Sequence, residues 1–269
     1  MFKAIAFTIA LLASFSVHAI DQDEVPQPHN VIATGKNQPN EAKTDGADES
    51  EEHEPQKKGL SFSLGLTTDY IWRGVSQTHR SAAIQPEIDF DLPITESTAL
   101  YAGVWASNVK YPNYPNAKVE MEYWIGATQE LGAGFSATFE ALFYDYPRER
   151  SLSYGEVSVT LGKSFDLPFK PELSVLESYA WDTYGTNTKS VYSDVTLKLS
   201  IPYDVKLTAH CGYSYFERQV ADQNYRDWKF GISKQMAGTE LEIAWYATNA
   251  EQYDRDGKGH VVFSATHHF

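Results

Sequence analysis

From residue 59 to residue 269 the chain alternates apolar and polar residues at every second position. In the first segment the apolar positions are Leu60, Phe62, Leu64, Leu66, Tyr70 and Trp72, with Ser61, Ser63, Gly65, Thr67, Asp69 and Arg73 between them. A period of two residues is typical of a β-strand with one apolar and one polar face. Twelve such segments fit into the 211 residues from 59 to 269. A strand that crosses a membrane takes ~9–11 residues, which leaves roughly seven for each connection. The sequence therefore predicts an all-β fold, a twelve-stranded antiparallel up-and-down barrel over residues 59–269.

The predicted connections alternate between short and long. The short ones are 91–96, 130–134, 166–171, 202–204 and 235–239, and the long ones are 75–80, 108–118, 146–154, 182–189, 217–227 and 249–260. Outer-membrane barrels place short turns in the periplasm and long loops outside the cell. This order therefore predicts that both ends of the barrel segment lie in the periplasm.

Alternation by itself does not tell whether the apolar face meets lipid or a protein core, because soluble barrels and sandwiches alternate as well. Aromatic residues near the predicted strand ends favour lipid, since membrane barrels carry aromatic girdles at both interfaces. These residues are Tyr70, Trp72, Phe90, Phe143, Tyr179, Trp181, Tyr213, Tyr215, Trp228 and Trp245. We therefore expect the apolar face to point outward.

With the apolar face outward, charged side chains point into the lumen. The candidate lumen-lining residues are Asp69, Arg73, Glu87, Asp89, Glu120, Glu122, Glu140, Asp194, Lys198, Lys206, Lys229, Glu240 and Glu242. Charged side chains inside a barrel need either water or a partner of opposite charge. A water-filled channel would hydrate them. The alternative is a plugged interior in which the acids pair with Arg73 and the lysines.

The N-terminal part of the chain has a different character. Residues 1–19 combine an early lysine, an apolar stretch and a cleavage site with a small residue, Ala19. These features predict a Sec-type signal peptide. Residues 20–58 contain ten acids and four lysines but no Phe, Trp, Tyr, Leu or Met. Such a segment buries too little apolar surface to fold, so we expect a disordered acidic tail in the periplasm.

The last residues resemble the terminal β-signal that is read by the machinery inserting outer-membrane barrels. A final Phe269 is preceded at alternate positions by His267, Ala265, Phe263 and Val261. His267 stands where Tyr is more common. The resemblance implies an outer-membrane location and the barrel-insertion machinery and membrane lipid as partners.

Four segments resemble a known family. The segment 64–78, LGLTTDYIWRGVSQT, resembles the opening signature of the TorF family of proteobacterial porin-like proteins. Gln85-Pro86, the segment 101–109 and the segment 122–126 resemble its following strands. The resemblance covers about residues 60–269. It implies an outer-membrane barrel with a porin function and no established substrate.

Composition excludes several classes of function. The formal net charge of −14 argues against nucleic acid as a partner, because its binders carry basic patches. A single cysteine, Cys211, excludes a disulfide framework. We predict no catalytic, cofactor-binding or metal-binding residues. The hypothesis is a non-enzymatic porin for passive diffusion of small hydrophilic solutes, with a preference for cations because carboxylates dominate the lumen.

Two other hypotheses stay open. One is an outer-membrane lipid hydrolase that uses a Ser–His pair, either His79 with Ser81 on one strand face or His210 with Ser214. The other is a non-conducting structural or receptor barrel. The Tyr-Pro segment 111–116 is predicted to be a rigid external loop, with folding into the mouth as the alternative. The segment 254–259 lacks the full spacing of a calcium loop.

Overall fold

The computed structural model describes residues 59–218 and 224–269. The predicted signal peptide and acidic tail lie outside the described residues. Twelve strands form a closed barrel, and two short strands form a separate hairpin. The barrel strands are β1 (Gly59–Thr67), β4 (Ala83–Pro93), β5 (Thr98–Asn108), β6 (Val119–Gly132), β7 (Phe135–Asp145), β8 (Tyr154–Ser164), β9 (Glu172–Ala180), β10 (Ser190–Ile201), β11 (Val205–Phe216), β12 (Tyr225–Met236), β13 (Thr239–Thr248) and β14 (His260–His268). The hairpin strands are β2 (Ile71–Trp72) and β3 (Val75–Ser76), and short 3-10 helices span Arg150–Leu152, Thr183–Gly185 and Glu251–Gly257.

Each barrel strand pairs antiparallel with the next one along the chain, and β1 closes the ring against β14. The closing seam pairs Ser63–Thr67 with Ser264–His268, whereas β1 pairs with β4 over nine positions. Closure leaves no sheet edge with unpaired backbone groups, which is what a sheet needs in order to cross a bilayer. The predicted twelve-stranded up-and-down barrel is confirmed.

The outer surface of the barrel is apolar and the inner surface is polar. Exposed fractions reach 64% for Ile125, 59% for Leu60 and 56% for Phe263. The polar residues that alternate with this outward row point inward, and many are buried, such as Glu120 (2% exposed) and Thr138 (1%). A soluble barrel has the opposite arrangement. The outward direction of the apolar face, on which the interpretation as a membrane barrel depends, is therefore confirmed.

The connections differ between the two ends of the barrel. At one end the turns are short, as between β10 and β11 or between β12 and β13. At the other end lie the longer segments 68–82, 109–118, 146–153, 181–189 and 249–259. This is the predicted alternation of turns and loops. Within residues 59–218 and 224–269, no helix combines the length and hydrophobicity required to cross a membrane.

The predicted first strand is too long. β1 ends at Thr67, and Tyr70 and Trp72 belong to the segment that turns into the barrel. Tyr70 is 7% exposed and does not belong to the outer aromatic girdle. The prediction failed because the hairpin strands are extended as well, so that the period of two residues continues beyond the end of the barrel strand.

Candidate functional site: the lumen and its hairpin

The first long connection folds back into the barrel. We call residues 68–82 the lumen hairpin. Its strands β2 and β3 are joined by Arg73 and Gly74, both with positive φ (46° and 77°), as in a two-residue type I′ turn. A Cβ built on Gly74 would lie 2.5 Å from Asp227 Cβ and 2.8 Å from Thr248 Cγ2. The tip of the hairpin is therefore in contact with the inner wall formed by β12 and β13.

Asp69 holds the base of the hairpin. This residue is 4% exposed, and its carboxylate accepts hydrogen bonds from Ser76 Oγ (2.7 Å) and Thr78 Oγ1 (2.5 Å). Its second oxygen lies 2.7 Å from His260 Nε2 at the start of β14. A buried carboxylate is stabilised when every oxygen has a donor. Asp69 therefore links the two arms of the hairpin to the strand that closes the barrel.

The turn brings the guanidinium of Arg73 into the lumen. It forms an ion pair with Glu156 of β8, whose carboxylate also accepts from the hydroxyl of Ser178. The guanidinium carbon lies 4.2 Å from the ring centroid of Trp72 and 4.2 Å from that of Tyr192. Burial by itself would lower the pKa of Arg73, but the Glu156 carboxylate and the surrounding phenols raise this pKa well above its ordinary value. The guanidinium therefore keeps its charge.

Aromatic residues fill the space between the hairpin and β5–β8. Tyr70 packs edge-on against Trp105, with ring centroids 5.0 Å apart, and its hydroxyl donates to Glu122 (3.3 Å). Trp72 Nε1 donates to the hydroxyl of Tyr144 (3.2 Å). The inward aromatics also include Tyr101, Trp124, Tyr146, Tyr154 and Tyr184. None of them is among the lumen-lining residues predicted from the sequence. Part of the high aromatic content thus lies inside the barrel.

The last long loop clamps the outer end of the hairpin. His79 Nδ1 lies 2.8 Å from Asp256 Oδ2, Arg80 donates to the carbonyls of Arg255 and Lys258, and Arg255 donates to the carbonyl of His79. His79 and Arg80 have positive φ and lie outside the barrel strands. The expectation that His79 and Ser81 share a strand face, on which one version of the hydrolase hypothesis depended, is wrong.

The Tyr-Pro loop contributes one residue to the mouth. Tyr111 donates to Gln77 Oε1 (2.7 Å) and its hydroxyl lies 3.5 Å from that of Tyr146, while residues 112–116 are exposed. Tyr146 in turn donates to Glu120 Oε1 (2.8 Å). Burial, followed by the Glu120 carboxylate, raises the pKa of both phenols well above the ordinary value. Most of the loop is external, as predicted, and Tyr111 is the part that folds inward.

A histidine between two carboxylates lies on the opposite wall. His210 on β11 pairs through Nδ1 with Asp194 of β10 and through Nε2 with Asp227 of β12 (2.7 Å). The hydroxyl of Tyr192 lies 3.1 Å from the same Nε2. A histidine that donates from both ring nitrogens is an imidazolium, and it then has no acceptor nitrogen for a nucleophilic Ser214. Asp227, which comes from a third strand, was not among the predicted lumen residues.

The remaining predicted lumen residues also alternate with the outward apolar row. Lys229 Nζ lies 2.8 Å from Glu242 Oε1. Tyr101 donates to Glu140 Oε2 (3.1 Å). Lys198 lies directly across from Glu172 in the β9–β10 register. Glu87, Asp89, Lys206 and Glu240 occupy inward positions of intermediate exposure. The structure thus places all thirteen predicted residues on the inner wall or in the lumen hairpin.

The charges are distributed unevenly around the lumen. On the described strands β4–β8 the inward positions carry no Lys or Arg. Their carboxylates are Glu87, Asp89, Asp91, Glu120, Glu122, Glu130, Glu140 and Glu156. On β10–β13 lysines and His210 alternate with acids. Because strands six apart in a ring of twelve face each other, the acidic wall of β4–β7 lies across the lumen from the mixed wall of β10–β13.

The residues of the predicted insertion signal lie on β14 or directly after it. Val261 and Phe263 are exposed on the outer surface, and Phe269 is 78% exposed. His267 Nδ1 lies 2.9 Å from Thr239 Oγ1, and its ring packs edge-on against that of Phe269 at 4.7 Å between centroids. Recognition of this strand by insertion machinery stays a prediction.

A closed antiparallel barrel with an apolar outer surface, a charged interior, short turns at one end and long loops at the other is a transmembrane barrel of the outer-membrane class. Residues 51–267 match the model of one family, Gcw_chp, described as a bacterial protein of unknown function. The chain belongs to this family. The resemblance to the TorF family stays a prediction.

Comparison with solved structures finds barrels at low sequence identity. An outer-membrane channel from Pseudomonas putida F1 is 10% identical with a TM-score of 0.49, and the match covers 82% of this chain and 99% of that one. The KdgM porin is 5% identical (TM-score 0.48, 78% and 98% covered), and LpxR from Salmonella typhimurium is 8% identical (TM-score 0.46, 78% and 99% covered). No curated protein matches the chain.

Proposed function

We propose that the protein is an outer-membrane channel for the passive diffusion of small hydrophilic solutes and that it prefers cations. The observation that carries this proposal is the surplus of carboxylates on the inner surface of a closed barrel, concentrated on one wall. Rings of acidic side chains attract cations and repel anions, and a narrow low-dielectric lumen strengthens the effect. The lumen hairpin narrows the path at the end of the barrel that carries the long loops.

Conductance in a planar bilayer tests the proposal. The purified protein is added to a bilayer that separates two KCl concentrations, and the reversal potential is measured. We expect a steady conductance and a reversal potential displaced toward that of K⁺. The paired substitution of Glu87 and Asp89 by Gln and Asn should reduce the displacement. A bilayer that stays non-conducting, or a reversal potential on the chloride side, contradicts the proposal.

The lumen hairpin favours a second candidate, a barrel that does not conduct and serves as a structural or receptor protein. The hairpin is held by Asp69 at its base, by Glu156 at its tip and by residues 249–259 from outside. Deletion of residues 70–77 distinguishes the two candidates. A non-conducting wild type whose deletion variant conducts supports the plugged barrel, whereas equal conductance in both argues against any blocking role.

We also propose that residues 1–19 direct export, that residues 20–58 stay as a periplasmic extension, and that both ends of the mature chain lie in the periplasm. The composition of these segments and the up-and-down order of strands and loops support this proposal. N-terminal sequencing of protein purified from outer membranes should begin at Ile20. Shaving of intact cells with protease should cut the loops but leave the acidic tail whole.

A further inference from the structure

Three neighbouring strands place an indole between two carboxylates on the acidic wall. In the β4–β5 register Trp105 lies directly across from Glu87, and in the β5–β6 register it lies directly across from Glu122. All three side chains point inward. Directly paired side chains on one face of a sheet are within contact range of each other. Glu87, Trp105 and Glu122 therefore form one row across the wall, and Trp105 in this row is only partly buried.

The next rows toward the short turns repeat the combination of ring and acid. Trp124 lies across Gly103, where a Cβ would be 2.2 Å from the indole, and the carboxylate of Asp89 borders the same position. Tyr101 lies across Gly126 in the same way and donates to Glu140. A glycine under each ring lets the ring lie along the wall instead of across the lumen. The acidic wall is therefore also an aromatic wall.

The lumen already holds one organic cation in such surroundings, and this cation belongs to the protein. The guanidinium of Arg73 lies 4.2 Å from two aromatic ring centroids and is paired with Glu156. Aromatic faces attract organic cations through the ring quadrupole, and carboxylates add charge and hydrogen bonds. Arg73 thus shows which chemical group fits an acid–aromatic pair inside this barrel.

A buried carboxylate oxygen next to the row of Glu87, Trp105 and Glu122 is independent evidence for a cation at this wall. Glu120 is the next inward residue on β6 after Glu122 and is 2% exposed. Its Oε1 accepts from Tyr146, but its Oε2 receives no hydrogen bond from any described residue. A buried carboxylate oxygen without a donor is costly, and a nearby cation with N–H groups reduces this cost. No basic side chain faces this position from the inward side of β4–β8.

We propose that the lumen binds small organic cations carrying guanidinium or ammonium groups, at a site formed by Trp105 with Glu87 and Glu122. This proposal rests on the proposed channel function and names its substrate class. The hairpin closes the site on one side, because Tyr70 packs on Trp105 and donates to Glu122. The cation would stand over the indole with one carboxylate on each side. Mixed charges on β10–β13 leave the opposite wall without this preference.

Agmatine, which carries both groups, is the probe. Its equilibrium binding to the purified protein in detergent is measured by calorimetry, and its block of the K⁺ current is measured in planar bilayers. We expect saturable binding and block. Trp105→Leu should weaken both by roughly five- to thirtyfold, and Glu122→Gln should weaken both as well. Trp245→Leu, the same substitution on the outer surface where Trp245 is 41% exposed, should change neither.

The two readouts separate this inference from the channel proposal. A protein that conducts K⁺ but shows no saturable agmatine binding keeps the channel function and overturns the organic-cation site. A protein that binds agmatine in a Trp105-dependent way but never conducts keeps the site and overturns the channel. Equal weakening by Trp105→Leu and Trp245→Leu would show that the effect comes from general destabilisation, and it overturns the site. Heat-dependent mobility in detergent gels confirms that each variant is a folded barrel.

Discussion

Arg73 and Glu156 are 83 residues apart in the chain and form an ion pair inside the barrel, with the guanidinium between the rings of Trp72 and Tyr192. Their side chains are 12% and 4% exposed. Breaking such a buried pair costs more than removing both partners, because one charge is left alone in a low-dielectric site. This contact fixes the tip of the lumen hairpin.

The first prediction concerns this pair. Glu156→Gln leaves Arg73 without its counter-ion and should destabilise the hairpin by about 3–5 kcal/mol. The double variant Arg73→Gln, Glu156→Gln should recover part of that loss. Hydrogen exchange of residues 70–77 measures the effect, since exchange resolves the opening of a local segment from global unfolding. Exchange that is unchanged in the single variant contradicts the role given to the pair.

The second prediction concerns the turn itself. Gly74→Ala should destabilise the hairpin strongly, because φ is +77° and the added Cβ would lie 2.5 Å from Asp227 Cβ. The matched control is Gly132→Ala, since Gly132 has φ +80° but no atom within 4 Å of an added Cβ. The control should be destabilised by only about 1–2 kcal/mol, the conformational cost of a left-handed backbone at a residue with a Cβ. The midpoints of urea unfolding compare the two. Similar losses of stability in both variants would contradict the close packing of the hairpin tip against β12 and β13.

The third prediction tests the direction of the apolar face. Ile125 is in the middle of β6 and is 64% exposed on the outer surface. Ile125→Arg should cost about 2–4 kcal/mol, as for a cation facing the middle of the bilayer. Tyr203→Arg is the control, because Tyr203 is 85% exposed in the turn between β10 and β11. The measurement is the free energy of unfolding of each variant from lipid vesicles, compared with that of the wild type. A tolerated arginine at residue 125 speaks against lipid contact there.

The fourth prediction concerns alkaline pH. Burial, followed by the Glu120 carboxylate, raises the pKa of Tyr70, Tyr111 and Tyr146 well above the ordinary value. In the unfolded chain these phenols ionise near pH 10, so their contribution to stability is complete below about pH 10 and is lost as the pH rises through the folded pKa values. Ultraviolet titration should show phenols that ionise only on unfolding. Replacement of all three by Phe should reduce the number of such late-ionising phenols.

Sequence alone predicted the barrel because its physical determinant is local. Alternation at each strand, together with short and long connections in turn, fixes the strand number and the outward face. The end of β1 was not predicted, because Tyr70 and Trp72 continue the same period. A signal for the turn was present in Arg73-Gly74, since a glycine-containing pair between two extended segments is typical of a tight hairpin.

The interior contacts depend on register, which a strand pattern does not supply. Glu87, Trp105 and Glu122 become neighbours only through two successive strand pairings. His210 likewise meets Asp194 and Asp227 from the strands on either side. A shift of one residue would turn any of these side chains to the other face of the sheet. Sequence reasoning therefore identified the candidates for the lumen but not the groups that they form.

The closing seam couples the wall of the barrel to the lumen hairpin. β14 supplies the hydrogen bonds that close the ring to β1, and its first residue, His260, contacts Asp69 at the base of the lumen hairpin. The loop that precedes β14 also clamps His79 and Arg80 from outside. The same strand and the loop before it therefore close the wall and hold the hairpin at its base and from outside. Displacement of β14 from the seam would break the pairing that closes the barrel and the His260 contact at the base of the hairpin together.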